Sequence, residues 1–260
     1  MSISKGVALI TGSAQGIGRA IALRLAKDGF DVALNDVLSK REQLRTVAED
    51  INKLGRKTCL AMADVTDEEQ VRAMVDDVAK ELGGLDVMVA NAGIFEGLQP
   101  IVSTELDVWE RVMAVNARGT FLCYKHAAAQ MIKQGRGGRL IAASSFLGKA
   151  ATPSVCAYAA SKFAIRGLTQ TAALELGRYG ITANSYAPGF IQTQMSESYS
   201  RFRNDLYACL ASSSGRRQPE EVAGVVSYLA SKEAQFVTGE HLAAFHSALQ
   251  ISIDGGRLLS

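Results

Sequence analysis

Val7-Ala8-Leu9-Ile10-Thr11-Gly12-Ser13-Ala14-Gln15-Gly16-Ile17-Gly18 is the stretch that decides the fold. Four apolar residues without alternation read as a short strand covered on both faces. A turn with the spacing G-x-x-x-G-x-G follows, and Ile17, Ile21 and Leu25 then mark one face of a helix. Glycines at a strand-to-helix turn remove the β-carbons that would hold an anion away from the backbone N–H groups. The helix N-terminus adds partial positive charge, so the turn suits a phosphate or pyrophosphate. The competing reading is a turn that only packs a helix closely against a strand.

The next segment favours the first reading. A second strand, Val32–Leu34, runs into Asn35-Asp36, with Asp36 placed 18 residues beyond Gly18. A carboxylate there accepts hydrogen bonds from the adenosine ribose hydroxyls of a dinucleotide and repels a 2′-phosphate. Neither Gln15 nor Val37 is an arginine that would neutralise that phosphate, so the pattern favours NAD over NADP. The plainer alternative is that Asp36 ends a strand and nothing more.

Further strands are expected at Thr58–Met62, Val87–Ala90, Leu140–Ala143, Ile181–Tyr186 and Ile251–Asp254. Helices alternate with them. Ser39-Lys40-Arg41-Glu42 and Thr66-Asp67-Glu68-Glu69 read as capping boxes ahead of apolar stripes. A third helix opens near Thr104 and runs past His126, a fourth spans Tyr158 to Arg178, and a fifth starts at Pro219. No linker interrupts this alternation. One doubly wound α/β domain of Rossmann type over residues 1–260 is predicted, a seven-stranded parallel sheet with helices on both faces, and a two-domain chain is disfavoured.

Composition sets outer limits. The 260 residues are 48% hydrophobic and carry a formal charge of +2, which gives no footprint for nucleic acid. Arg136-Gly137-Gly138-Arg139 is the densest basic spot and reads as a solvated turn before a strand. The four cysteines, Cys59, Cys123, Cys156 and Cys209, are widely spaced and fit a reducing, cytoplasmic setting rather than a disulfide or metal framework. No leader and no membrane-length apolar run are expected.

Tyr158 and Lys162 are four apart in a helical segment and share a face. A phenol of pKa ~10 is drawn toward ionisation by a neighbouring ammonium and by an oxidised nicotinamide. It would then exchange a proton with a substrate oxygen as hydride leaves or reaches carbon. A surface Tyr–Lys pair is the ordinary alternative. Ser145, at the exit of a strand 13 residues earlier, would donate to the same oxygen.

With the T-G-x-x-x-G-x-G loop, Asn91-Ala92-Gly93, Asn116, Ser145, Tyr158-x-x-x-Lys162 and Pro188-Gly189 together, the chain resembles the short-chain dehydrogenases/reductases over essentially its whole length. The resemblance implies Tyr158 as acid/base and Lys162 on the nicotinamide ribose, lowering the phenol pKa. It implies that Ser145 polarises the substrate and that Asn116 anchors a water in a proton relay. Gly12, Gln15, Gly16, Ile17, Gly18, Asp36, Asp64, Val65, Asn91, Ala92, Gly93, Pro188, Gly189, Ile191 and Thr193 would hold the dinucleotide, Asp64-Val65 at adenine and Ile191 and Thr193 at the carboxamide. It also implies a homo-oligomer, normally a tetramer.

Substrate choice is expected at Phe95, Phe146, Leu147, Pro153 and Phe190, and in a lid over residues 191–215. The walls suit a small neutral alcohol or ketone, though Arg201, Arg203, Arg216 and Arg217 leave room for an acidic group. Residues 8–32 and 162–173 are similar to diacetyl/acetoin reductases, while polyol or sugar dehydrogenases and acyl-thioester ketoreductases share much of the pattern. One departure stands out: residues 241–249 read as an insertion before the last strand, with Leu242, Phe245 and Leu249 at helical spacing. It is expected to alter subunit pairing or one cleft wall. His241 and His246 lack the partners of a metal site. The rival readings are an NADP-linked ketoreductase and a dinucleotide binder without chemistry.

Overall fold

The computed structural model describes residues 3–195 and 217–244. Seven strands form one sheet in the order β3-β2-β1-β4-β5-β6-β7, every pair parallel. They are β1 (Val7–Ile10), β2 (Asp31–Leu34), β3 (Thr58–Leu60), β4 (Val87–Ala90), β5 (Gly138–Ala143), β6 (Ile181–Pro188) and β7 (His241–Ala244). The helices are α1 (Gly16–Asp28), α2 (Arg41–Lys53), α3 (Glu68–Leu82), α4 (Leu106–Met113), α5 (Gly119–Gln134), α6 (Cys156–Leu176) and α7 (Pro219–Ala230).

Both faces of the sheet are apolar because both are covered. Ile10, Leu34, Val89 and Ile141 pack with Ile21, Leu25, Leu44, Val47, Val226 and Leu229, from α1, α2 and α7. The alternate positions, Leu9, Met88 and Leu140, pack with Met74, Val78, Leu122, Met131 and Ile165, from α3, α5 and α6. Each fully buried Leu, Ile or Met contributes about 1.5–3 kcal/mol from apolar burial.

The seventh strand corrects the sequence reading. It is His241–Ala244, paired with β6 through Ser185↔His241 to Pro188↔Ala244. The first four residues of the supposed insertion are therefore strand, selected by pairing with β6. Residues 245–249 and Ile251–Asp254 lie outside the described residues, as does His246.

Three local expectations also change. The cap of α3 is Asp67, whose carboxylate accepts from the Gln70 N–H at 3.1 Å, while Thr66 donates to Asp64. Before α2 a 3-10 turn (Leu38–Lys40) replaces a capping box, with no side-chain cap. In the 136–139 turn Arg136 pairs with Asp86, and Arg139 lies within β5, half-buried, with its Nε lacking a hydrogen-bond partner. The proline at the start of α7 stands as read, within a capping box in which the Glu221 carboxylate accepts from the Gln218 N–H at 2.8 Å.

Candidate active site

Strand order reverses between β1 and β4, and open parallel sheets place ligands at that switch point, beyond the strand C-termini. The turn after β1 is stitched to the exit of β4 there. The Thr11 hydroxyl accepts from the N–H groups of Asn91 and Ala92, both at 3.0 Å. The Asn91 amide donates to the Thr11 and Gly12 carbonyls at 2.8 and 3.2 Å, and its Oδ1 accepts from the Tyr186 hydroxyl at 2.9 Å. A Cβ on Gly18 would sit 2.2 Å from the Gly12 carbonyl oxygen and 2.5 Å from Asn91 Nδ2. The glycine lets α1 approach the turn closely. This tight cradle, opening onto a cleft, fits a dinucleotide pyrophosphate. Asp36 closes the cradle's far side, its carboxylate accepting from the Ala14 and Val37 N–H groups at 3.2 and 2.9 Å.

At the other end of the cleft, β5 runs out into Ser144-Ser145 and α6 carries Tyr158 and Lys162. Lys162 is buried and donates from Nζ to the Ala143 carbonyl at 2.8 Å, with its ammonium 5.4 Å from the centre of the Tyr158 ring. Burial lowers that lysine to about 8. Tyr158 keeps part of its surface on the cleft, yet dense protein around its hydroxyl pushes the phenol up to about 12, opposed by a hydrogen bond with Ser145. In the protein alone burial outweighs the lowering influences on the phenol. Phe95 packs edge-on against Tyr158 with ring centres 5.4 Å apart and fixes the ring.

Asn116 sits one layer back. It is fully buried and does not line the cleft. Its amide donates to the Ile94 carbonyl and the Ser161 hydroxyl, both at 3.0 Å, and its Oδ1 accepts from the Ile94 N–H at 2.8 Å. The residue lies in a π-helical turn, Ala114–Arg118, that joins α4 to α5. Its own carbonyl accepts from the Thr120 hydroxyl at 2.7 Å. The side chain thus braces the segment at Ile94.

One cleft of about 450 Å³ gathers the rest. Gly12, Gln15, Gly16, Ile17, Gly18, Asp36, Asp64, Val65, Asn91, Ala92, Gly93, Tyr158, Lys162, Pro188, Gly189, Ile191 and Thr193 all line it, with Ser145. Phe95, Phe146, Leu147 and Phe190 form its apolar end, whereas Pro153 and Arg217 lie off it. Most of the expected lid, together with Arg201, Arg203 and Arg216, lies outside the described residues. The sequence reading missed Lys40, which reaches Gln15 Oε1 at 3.4 Å on the rim beside Asp36. It also missed Tyr186, the support of Asn91. Lys40 was hidden by its assignment to a helix cap; Tyr186 carried no local signal. Among the described residues no His/Cys/Asp/Glu cluster suits a metal ion, and no helix is long and apolar enough to cross a membrane.

A phosphate cradle at one end of a cleft and a Ser–Tyr–Lys cluster at the other define a dinucleotide-linked oxidoreductase built on a doubly wound sheet. The chain belongs to the short-chain dehydrogenase/reductase family. The family model described as enoyl-(acyl carrier protein) reductase matches residues 12–244. The chain is 50% identical to the short-chain dehydrogenase/reductase eriH of Hericium erinaceus over 98% of both chains. It is 35% identical to the L-2,3-butanediol dehydrogenase of Corynebacterium glutamicum, over 97% of this chain and 98% of that one. Among solved structures, carveol dehydrogenase from Mycobacterium avium in complex with NAD superposes with a TM-score of 0.88. It is 30% identical, with 93% of this chain and 96% of that chain covered.

Proposed function

We propose that the protein is an NAD-dependent oxidoreductase that interconverts a small neutral secondary alcohol and its ketone. The observation that carries this reading is the convergence of Ser145, Tyr158 and Lys162 on a cleft whose far end is the glycine cradle with Asp36. NAD supplies hydride transfer at the substrate carbon. The glycine turn and the α1 N-terminus would hold the pyrophosphate, Asp36 the adenosine ribose, Asp64 and Val65 the adenine, and Lys162 with Asn91 the nicotinamide ribose. Ile191 and Thr193 would meet the carboxamide. Ser145 donates to the substrate oxygen, and Tyr158 gives that oxygen a proton in reduction or takes one in oxidation. Since burial holds the phenol high, Tyr158 is a ready acid for reduction. Base action needs a second positive charge beside it, which an oxidised nicotinamide provides.

The substrate end favours neutral, apolar-flanked carbonyls. Phe95, Phe146, Leu147 and Phe190 line it, and among the described lining residues Lys162 is the sole charged side chain near Tyr158. Diacetyl and acetoin fit the sequence similarity and the butanediol dehydrogenase relative. Carveol and levodione are suggested by two structural neighbours bearing those names. An oxoacyl thioester is suggested by a Staphylococcus aureus 3-oxoacyl-[acyl-carrier-protein] reductase, 37% identical. NADP is the second reading for the cofactor, favoured by the Lys40 ammonium on the rim next to Asp36. Exposed Phe121, Phe163 and Leu174 on α5 and α6 support a homo-oligomer, testable by native mass.

The test is reduced-nicotinamide absorbance with NADH or NADPH against these carbonyls, with Tyr158→Phe as the blank. Turnover with NADH that disappears in the variant is expected. NADH binding without turnover of any carbonyl would overturn the catalytic reading.

A further inference from the structure

His241 is the first residue of β7, and its ring is buried. Register aligns Ala142, Ser185 and His241 across β5, β6 and β7, so their side chains share the sheet face covered by α6. Ser185 Oγ lies 2.7 Å from His241 Nδ1 and 3.3 Å from the Glu240 carbonyl oxygen. The other ring nitrogen, Nε2, is enclosed with no hydrogen-bond partner of good geometry. The main-chain carbonyl of Ser145 acts on the imidazole as an acceptor, raising its pKa against the effect of burial. That carbonyl accepts the Gly148 N–H at 2.9 Å, which leaves it a second lone pair.

We propose that His241 is a positioning residue for the reaction: its neutral imidazole accepts a hydrogen bond from the Ser185 hydroxyl at Nδ1 and presents Nε2–H to the Ser145 carbonyl, clamping the loop that carries the Ser145 hydroxyl. The opposite tautomer would turn a desolvated lone pair toward a carbonyl oxygen, at the cost of an unpaired buried acceptor. The surroundings keep the ring uncharged. Lys149, beyond the turn at 146–148, and Arg166, on α6, are both cations facing it, and the nearby Glu240 carboxylate acts on Lys149. Burial first, then these cations, bring the imidazole down to about 4 against the pull of the Ser145 carbonyl. The edge strand of the sheet is thereby tied to the hydroxyl that hydrogen-bonds Tyr158.

The inference rests on the reading of Ser145 as the substrate-orienting group, and two measurements separate the clamp from that reading. Imidazole nitrogen NMR on the full-length protein, with His241→Asn for assignment, should show the Nε2–H tautomer unchanged from pH 8 to pH 5. An Nδ1–H tautomer, or protonation near pH 6.5, overturns the clamp. In kinetics, His241→Leu should lower kcat about tenfold or more with the NADH Kd unchanged. His241→Gln, whose amide keeps a donor for Ser145, should recover most of the loss. Full kcat in the Leu variant, or NADH affinity falling in step with kcat, overturns the positioning role. A wild type silent on every carbonyl removes the functional reading instead, and the tautomer still decides the clamp.

Discussion

Lys162 spends one of its ammonium hydrogens on the carbonyl of Ala143, at 2.8 Å, at the exit of β5. The bond fixes the ammonium between strand and helix, with two hydrogens left for a ligand, in surroundings that lower its pKa to about 8.

That arrangement makes the ionisation of Tyr158 conditional. In the protein alone its phenol should ionise only near 12, where burial places it. Adding NAD+ should bring it down toward neutrality. The wild-type-minus-Tyr158→Phe ultraviolet difference spectrum, titrated with and without NAD+, reads this directly. A tyrosinate signal near pH 8 without NAD+ would contradict it. Tyr158→Phe should also lower kcat by roughly 10²–10⁴-fold, the usual range for losing a positioned acid or base.

Gly18→Ala should abolish dinucleotide binding. The new methyl would meet the Gly12 carbonyl at 2.2 Å, and backbone cannot step aside as a side chain does. Overpacking of this kind costs about 1–3 kcal/mol in stability. NADH fluorescence titration combined with urea unfolding should show lost binding in a protein that still folds. Gly167→Ala, on α6 with nothing within 4 Å of the added carbon, is the neutral control.

Cofactor choice should respond to two residues in opposite directions. Asp36→Ala removes a carboxylate whose repulsion of a 2′-phosphate, at ~4 Å and an effective dielectric of ~20, is about 4 kcal/mol before screening. The NADPH/NADH ratio of kcat/KM should rise at least about tenfold. Lys40→Ala should lower the same ratio modestly, since an exposed cation is screened by salt. An unchanged ratio in both variants would remove these residues from cofactor discrimination.

The Asp31–Arg56 pair sets an acid limit on stability. Both side chains are buried, 2.8 Å apart, with the Lys57 N–H on the same carboxylate oxygen at 2.9 Å. Burial alone would raise the Asp31 pKa, but hydrogen bonds from Lys57, Ser4 and Arg56, with the guanidinium charge, leave it lowered. The unfolded chain then binds this proton more readily. The contribution is complete above about pH 4 and is lost as pH falls through the folded-state value. Asp31→Asn should cost about 3–5 kcal/mol at pH 7, because it removes the carboxylate charge that a buried guanidinium pairs with. In urea unfolding the gap to wild type should shrink at pH 3. A gap that is equal at both pH values would sink the assignment.

What sequence could show was local. The β1 turn, Asp36 and the Tyr158–Lys162 spacing each announce themselves within a few residues, and all came together in one cleft. His241–Ala244 was read as the start of an insertion because it is selected as strand by its register with β6. The Lys40 contact with Gln15 spans 25 residues, beyond the reach of a local pattern. Asn116 was expected to anchor a relay water; its side-chain partners are Ile94 and Ser161, 22 and 45 residues away, and no nearby motif encodes them.

The π-helical turn at Ala114–Arg118 has a consequence for how this chain tolerates exchange with its relatives. One surplus residue is absorbed there without breaking the helix, so positions after Arg118 run about 100° out of step with those before it. Within the turn the phase points Asn116 at Ile94; beyond it the phase points Leu122, Cys123 and Met131 at the sheet. A chimera joined inside residues 114–118 with one residue fewer would satisfy only one of these two demands. Crossover points for recombination therefore belong outside this turn, and the residue count across it is as constrained as any side chain it carries.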